Sequence, residues 1–202
     1  TLGEWWYSSK NYEKVISTME ECAQEHLVDG NEIGAANDLH LIGCAYRDLK
    51  RYDEAVGSFQ EARALYKSNK EVIHVARCDQ KIASCYVELG NGDSALESAR
   101  KALDVFETAH DHLRETFALF EYGKAQVLLG KLEEGLDSLD TVLQTATEED
   151  PKDFEFIVDI ESRMPSAACK KRRTKEADEV ERRLASVRDA MIEDTNNEEE
   201  RA

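Results

Sequence analysis

The chain has 202 residues, enough for one or two domains with a real core. With 26 basic and 43 acidic side chains it carries a net charge of −17, so a bare phosphate backbone is a poor partner and nucleic-acid binding is not expected. A mean hydropathy of −0.61 and the lack of long apolar runs exclude a predicted transmembrane helix, and only 2 prolines point to long uninterrupted helices.

The chain repeats itself. Gly3, Gly43, Ala83 and Gly123 are small residues spaced by 40, and Val15, Ala55, Ala95 and Gly135 follow each in the same register. Between them lie turns at Lys10-Asn-Tyr12, Lys50-Arg-Tyr52, Gly90-Asn-Gly92 and Gly130-Lys-Leu132. The opening unit lacks its first helix before Gly3, so Trp5, Trp6 and Tyr7 fall near an open end and the native protein is expected to continue upstream.

The second unit is the clearest. Ala36, Leu39, Ile42, Gly43, Tyr46 and Leu49 recur at three- and four-residue steps and predict a helix from Ile33 to Leu49. Ala55, Val56, Phe59, Ala62, Leu65 and Tyr66 predict a second from Tyr52 to Tyr66. Asp53 and Glu54 sit in its first turn and Lys67 at its end, each matching the helix dipole. Asp93 and Glu133-Glu134 mark the same starts further on. Short turns make consecutive helices antiparallel, and the small residues let them approach. The stretch from Val28 to Ala36 reads as additional chain between units.

After Pro151 the pattern weakens. Phe154, Ile157 and Ile160 restart a helix, Met164-Pro165 ends it, and Ala177, Val180, Leu184, Val187 and Met191 form another. The predicted organisation is repeats over 1–148 (1–29, 30–68, 69–109, 110–148), a degenerate capping unit over 149–192, and an acidic tail over 193–202 expected to be disordered. Lys170-Lys-Arg-Arg173 reads as a basic turn between capping helices rather than a nuclear import signal.

No catalytic constellation emerges, so the chain is not expected to be an enzyme. His110-Asp111-His112 reads as a solvated loop, and no metal or cofactor site is expected. Acidic pairs such as Glu20-Glu21 read as solvated faces, and Gly90-Asn-Gly92 as a helix-helix turn rather than a phosphate loop. Cys22, Cys44, Cys78, Cys85 and Cys169 form no Cys-x-x-Cys pair. They read as reduced thiols, which fits a cytoplasmic protein.

Leu39, Ile42-Gly43, Tyr46, Leu49, Tyr52, Ala55, Phe59 and Ala62 together resemble the tetratricopeptide repeat. So do Ile82, Ala83, Tyr86, Leu89-Gly90, Ala95 and Ala102 in the third unit, and Leu119, Gly123, Leu129-Gly130 and Leu132 in the fourth. The standard period is about 34 residues. The longer step is similar to that of bacterial peptide-sensing Rap-type regulators, large transcription activators and Pins-like adaptors. The resemblance implies an all-α, right-handed superhelical solenoid whose first helices line a concave groove.

By that register the groove positions are Asn37, His40, Cys44, Arg47 and Asp48, then Arg77, Gln80, Ser84, Val87 and Glu88, then Phe117, Phe120, Lys124, Val127 and Leu128. Their charges nearly cancel, with one positive charge over. Phe117 and Phe120 are candidate anchors, and Arg47, Arg77 and Lys124 candidate contacts for acidic or carboxylate groups. His40 and Cys44 stand where a chaperone-tail clamp would need cations, so that subclass is not expected. The implied function is a protein- or peptide-binding scaffold, and the alternative is a ligand-sensing regulatory domain of a larger transcription or signalling protein.

Overall fold

The computed structural model describes residues 11–148. The expectations for Gly3, the two tryptophans, the capping unit, the basic run, Cys169 and the acidic tail lie outside them. The described residues form seven helices: α1 (Tyr12–Val28), α2 (Glu32–Asp48), α3 (Tyr52–Ser68), α4 (Val72–Glu88), α5 (Gly92–Thr108), α6 (His112–Leu128) and α7 (Leu132–Glu148). Each has 17 residues. Each packs on the next along the chain, and α4 also lies beside α6.

One turn is used six times. Its middle residue is left-handed: Gly30, Gly90 and Gly130 at φ of 72°, 74° and 79°, and Lys50, Lys70 and His110 at 62°, 61° and 55°. At the first turn the Gly30 amide donates to the Leu27 carbonyl and the Asn31 amide to that of His26. The same pair of bonds, the Schellman motif, recurs at every other turn, ending with Gly130 to Val127 and Lys131 to Gln126. At three of the turns the last residue also caps the next helix. Asn31, Asn91 and Asp111 accept from the amides of Gly34, Ser94 and Arg114.

The expectation of additional chain between units is corrected here. Only Asp29, Gly30 and Asn31 separate α1 from α2, and Glu32 already begins the helix. The surplus residues lengthen helices, because satisfied backbone hydrogen bonds cost less than a long loop.

The small residues mark where helices touch. A Cβ on Gly43 of α2 would lie 2.7 Å from the Phe59 ring of α3. One on Gly135 of α7 would lie 2.7 Å from Val127 and 3.0 Å from the Gly123 carbonyl oxygen of α6. Ala55, Ala83 and Ala95 are fully buried at matching positions. Phe59, itself fully buried, joins Ala55, Val56, Ile82 and Cys85 in a core shared by α3 and α4. Cys78 fills a second core with Ala36, Ala62 and Tyr66, so both buried cysteines act as small apolar residues. The four described cysteines are free thiols.

Polar pairs pin successive helices. His26 Nδ1 lies 2.8 Å from the Asp38 carboxylate, joining α1 to α2. The Tyr66 hydroxyl donates to Asn37 at 2.7 Å, and Arg63 Nε to Asp79 at 2.7 Å.

Two outcomes follow for stability. Lys50→Gly and Lys70→Gly each remove a left-handed strain, and each raises unfolding stability in urea by about 0.5–1 kcal/mol; a fall at both positions would contradict the turn geometry. Gly43→Val costs about 1–3 kcal/mol by overpacking against Phe59, and adding Phe59→Leu recovers part of that loss; an additive double variant would show that the two sites do not touch.

Candidate functional site

The first helices α2, α4 and α6 carry every predicted groove position. The structure sorts these positions into a buried set and an accessible set. His40, Gln80, Val87, Phe120, Lys124 and Val127 are buried. Cys44, Arg47, Arg77, Ser84, Phe117 and Leu128 are half-buried, while Asn37, Asp48 and Glu88 are exposed. Phe120 therefore packs inside the protein, under the Lys124 ammonium 5.1 Å from its ring centre, which leaves Phe117 as the accessible aromatic. Lys124 is likewise not an open cation. Its Nζ lies 3.2 Å from Glu121 and 3.9 Å from Glu88, so its charge is answered within the protein. Asn37 accepts the Tyr66 hydroxyl, tying its side chain to α3.

Arg47, Arg77 and Lys81 lie near enough to His40 and Cys44 to act on both electrostatically. Arg47 donates to Asp48 through Nε at 3.2 Å and Nη2 at 2.9 Å. Arg77 makes no ion pair among the described residues. The His40 ring meets Phe59 edge-on at 5.3 Å between centroids, with Nδ1 3.9 Å from Cys44 Sγ. Burial pushes the His40 pKa down to about 3, and Arg77, Lys81 and Arg47 push the same way. Burial lowers the Lys81 ammonium and raises the Cys44 thiol, the latter against the pull of Arg47 and Lys81.

Lys81 is a member the sequence reading missed. It falls four residues after Arg77, on the same helical face. Its counterparts 40 residues away are Leu41 and Glu121, an aliphatic and an acid, which hid the position. Glu121 was missed for the same reason, though it is buried beside Lys124.

His110 occupies a left-handed turn, Asp111 caps α6, and His112 begins that helix beside Glu115 at 3.3 Å. Among the described residues no three His, Cys, Asp or Glu side chains are grouped to hold a metal ion. No described helix is long and apolar enough to cross a membrane. A shallow hollow of about 760 Å³ on α1 is walled by Glu20, Glu21, Gln24, Glu25, Val28 and Asp29, and no predicted groove residue lines it.

Helix pairs stacked in sequence define an α-solenoid, a class that offers long surfaces to binding partners. The tetratricopeptide-repeat profile matches residues 36–69, which cover 34 residues of the 40-residue step; the remainder, 70–75, is the next turn and the first turn of α4. No curated protein matches the chain. Solved structures do. A kinesin light chain of Podosopora anserina with nearly identical TPR-like repeats is 14% identical over 92% of this chain and 91% of its own, with a TM-score of 0.66. The apo form of RapI is 14% identical over 95% and 82%, with a TM-score of 0.73. The Rap conjugation gene regulator of plasmid pLS20, in complex with the Phr* peptide, is 21% identical over 93% of this chain and 52% of that one, with a TM-score of 0.65. These likenesses are of fold. The chain carries a tetratricopeptide repeat and folds as a tetratricopeptide-like solenoid.

The buried imidazole makes folding pH-dependent. Unfolded His40 takes up a proton near pH 6.5 and the folded chain only near pH 3, so the unfolded state binds more protons in between. His40's contribution to stability is whole above pH 6.5 and falls by about 2 kcal/mol on acidification to pH 5. In an NMR titration the His40 ring stays neutral from pH 7 to pH 5; a midpoint near 6.5 would place it in solvent.

Proposed function

We propose that this solenoid is a binding scaffold that takes a peptide or protein segment along the faces of α2, α4 and α6. The observation that carries this reading is the placement of Arg77 and Phe117. They occupy the same register position on neighbouring first helices, both half-buried, on helices that pack side by side. A cation beside an accessible aromatic suits a ligand with an acidic group next to an apolar one. Arg47 extends the basic edge on α2.

The peptide held by the pLS20 regulator supports a peptide as the kind of ligand, through a shared fold. Preformed helices hold such a surface rigid, so little ordering is lost on binding. In this reading each unit is one helix pair, over 30–68, 69–109 and 110–148, and binding rather than catalysis is the activity. The net charge of −17 continues to oppose nucleic acid. A reducing, cytoplasmic setting fits four free thiols.

Fluorescence anisotropy with labelled acidic and basic peptide pools tests this. Acidic peptides bind more tightly, Arg77→Glu weakens them about tenfold or more, and Phe117→Ala costs about 1–2 kcal/mol. Unchanged affinities in both variants would place the binding surface elsewhere.

A further inference from the structure

Six large apolar side chains are exposed among the described residues, and five of them lie on one edge of the stack. Each turn reverses the chain, so the α1–α2, α3–α4 and α5–α6 turns share that edge. Leu27 and Val28 end α1, Ile33 and Val72 begin α2 and α4, and Leu113 begins α6. The sixth, Leu89, lies on the opposite edge. Hydrogen bonds fix the first two of these turns side by side. The Glu32 carboxylate, at the start of α2, accepts from Ser68 at 3.0 Å and from Asn69 at 2.7 Å, at the end of α3. Exposed apolar residues scattered singly are ordinary, but a row of them along one edge marks a contact surface. Val28 keeps 80% of its surface and Val72 59%, so no described helix covers them.

Charge divides the same edge into unlike parts. Over 27–33 the net charge is −2, from Asp29 and Glu32. Over the equivalent 67–73 it is +1, from Lys67 and Lys70 against Glu71. Glu71 is turned to His74 at 3.3 Å. Asp29, Lys67 and Lys70 are exposed and make no ion pair among the described residues. The hollow on α1 extends the acidic part, with Val28 and Asp29 on its wall beside Glu21 and Glu25. The α5–α6 turn offers less of both features, since Leu113 stands there alone and Asp111 is held by Arg114.

We infer that this edge docks a second copy of the chain, about a two-fold axis that sets the α1–α2 turn of each copy against the α3–α4 turn of the other. Val28 of each copy then covers Val72 of the other, and Asp29 meets Lys70, each contact made twice by symmetry. The lysines of one copy point their charge at the acidic hollow of the other. Setting like turns together would instead oppose Asp29 and Glu32 to themselves. The basic run Lys170-Lys-Arg-Arg173 would answer the acids, but it brings no apolar side chain to Val28 and Val72. The α3–α4 turn supplies both. This contact uses the ends of the helices and not Arg77 or Phe117, so it stands apart from the binding scaffold proposed above.

Sedimentation velocity on the 202-residue chain tests it. A small contact of this kind gives micromolar affinity, so the range is about 5–200 µM. A concentration-dependent dimer forms at low salt and weakens at about 0.5 M salt. Val28→Asp, Asp29→Lys and Lys70→Asp each raise its Kd about tenfold or more. Lys50→Asp makes the same change at the same left-handed backbone on the opposite edge and leaves the dimer intact. An equal mixture of the Asp29→Lys and Lys70→Asp chains associates again, because both contacts then join opposite charges. Every substituted residue is exposed, and thermal midpoints confirm that each variant folds. A chain that stays monomeric over the whole range overturns the inference and gives the edge to the basic run or to another protein. A dimer indifferent to the three edge variants overturns it by placing the interface elsewhere. Two weakened variants that fail to associate when mixed overturn the two-fold pairing.

Discussion

The three-residue turn with a left-handed centre governs this molecule. It ends a helix by satisfying its last carbonyls, reverses the chain, and at three turns hands its final residue to the next helix as a cap. Because nothing can be added to it without breaking one of those bonds, every helix starts 20 residues after the last. Constant helix length and constant turn keep side chains 40 residues apart in equivalent places. The close approach of Gly43 to Phe59 and of Gly123 to Gly135 then recurs by construction. The accessible positions of the first helices depend on the same regularity, since Asn37, Arg77 and Phe117 share one register position on three successive first helices.

Much of this could be read from the residues. The small positions, the apolar stripes and the acidic first turns all have a single physical use, so their spacing named the helices correctly. The turns at Lys50, Gly90 and Gly130 were read as turns, whereas Gly30 was taken for additional chain; Lys50, Lys70 and His110 carry no glycine to mark their left-handed backbone, because the hydrogen-bonded frame imposes the conformation on them. Which first-helix side chains stay accessible was less legible. A first helix packs against its partner helix and against neighbouring units, so more of its circumference is buried than a single apolar stripe implies. Phe120 and Lys124 therefore turned inward, and Lys81 stayed hidden behind Leu41 and Glu121 in the alignment of units.

Polar interiors distinguish this solenoid from a simple stack of greasy helices. Asp38, Asp79, Glu121 and Lys124 are all buried, and each meets a charged or titratable partner. Burial raises the pKa of Asp79, and the Arg63 guanidinium 2.7 Å away opposes that rise. Such pairs add little net stability, but they fit only one sliding position of one helix on its neighbour. Repeats that look alike could otherwise slip past each other by a turn. In this chain the pairs differ at each junction: imidazole with carboxylate, phenol with amide, guanidinium with carboxylate.

Packing of each helix chiefly on its sequence neighbours has a mechanical side. No strand or distant segment ties one end of the described stack to the other, so the contacts that hold it are short-range along the chain. Such a body is a spring. Small rotations at each junction add up to a large change in the distance between its ends, while each individual core is hardly disturbed. A load applied along the axis would be shared as slight bending before any single unit gave way.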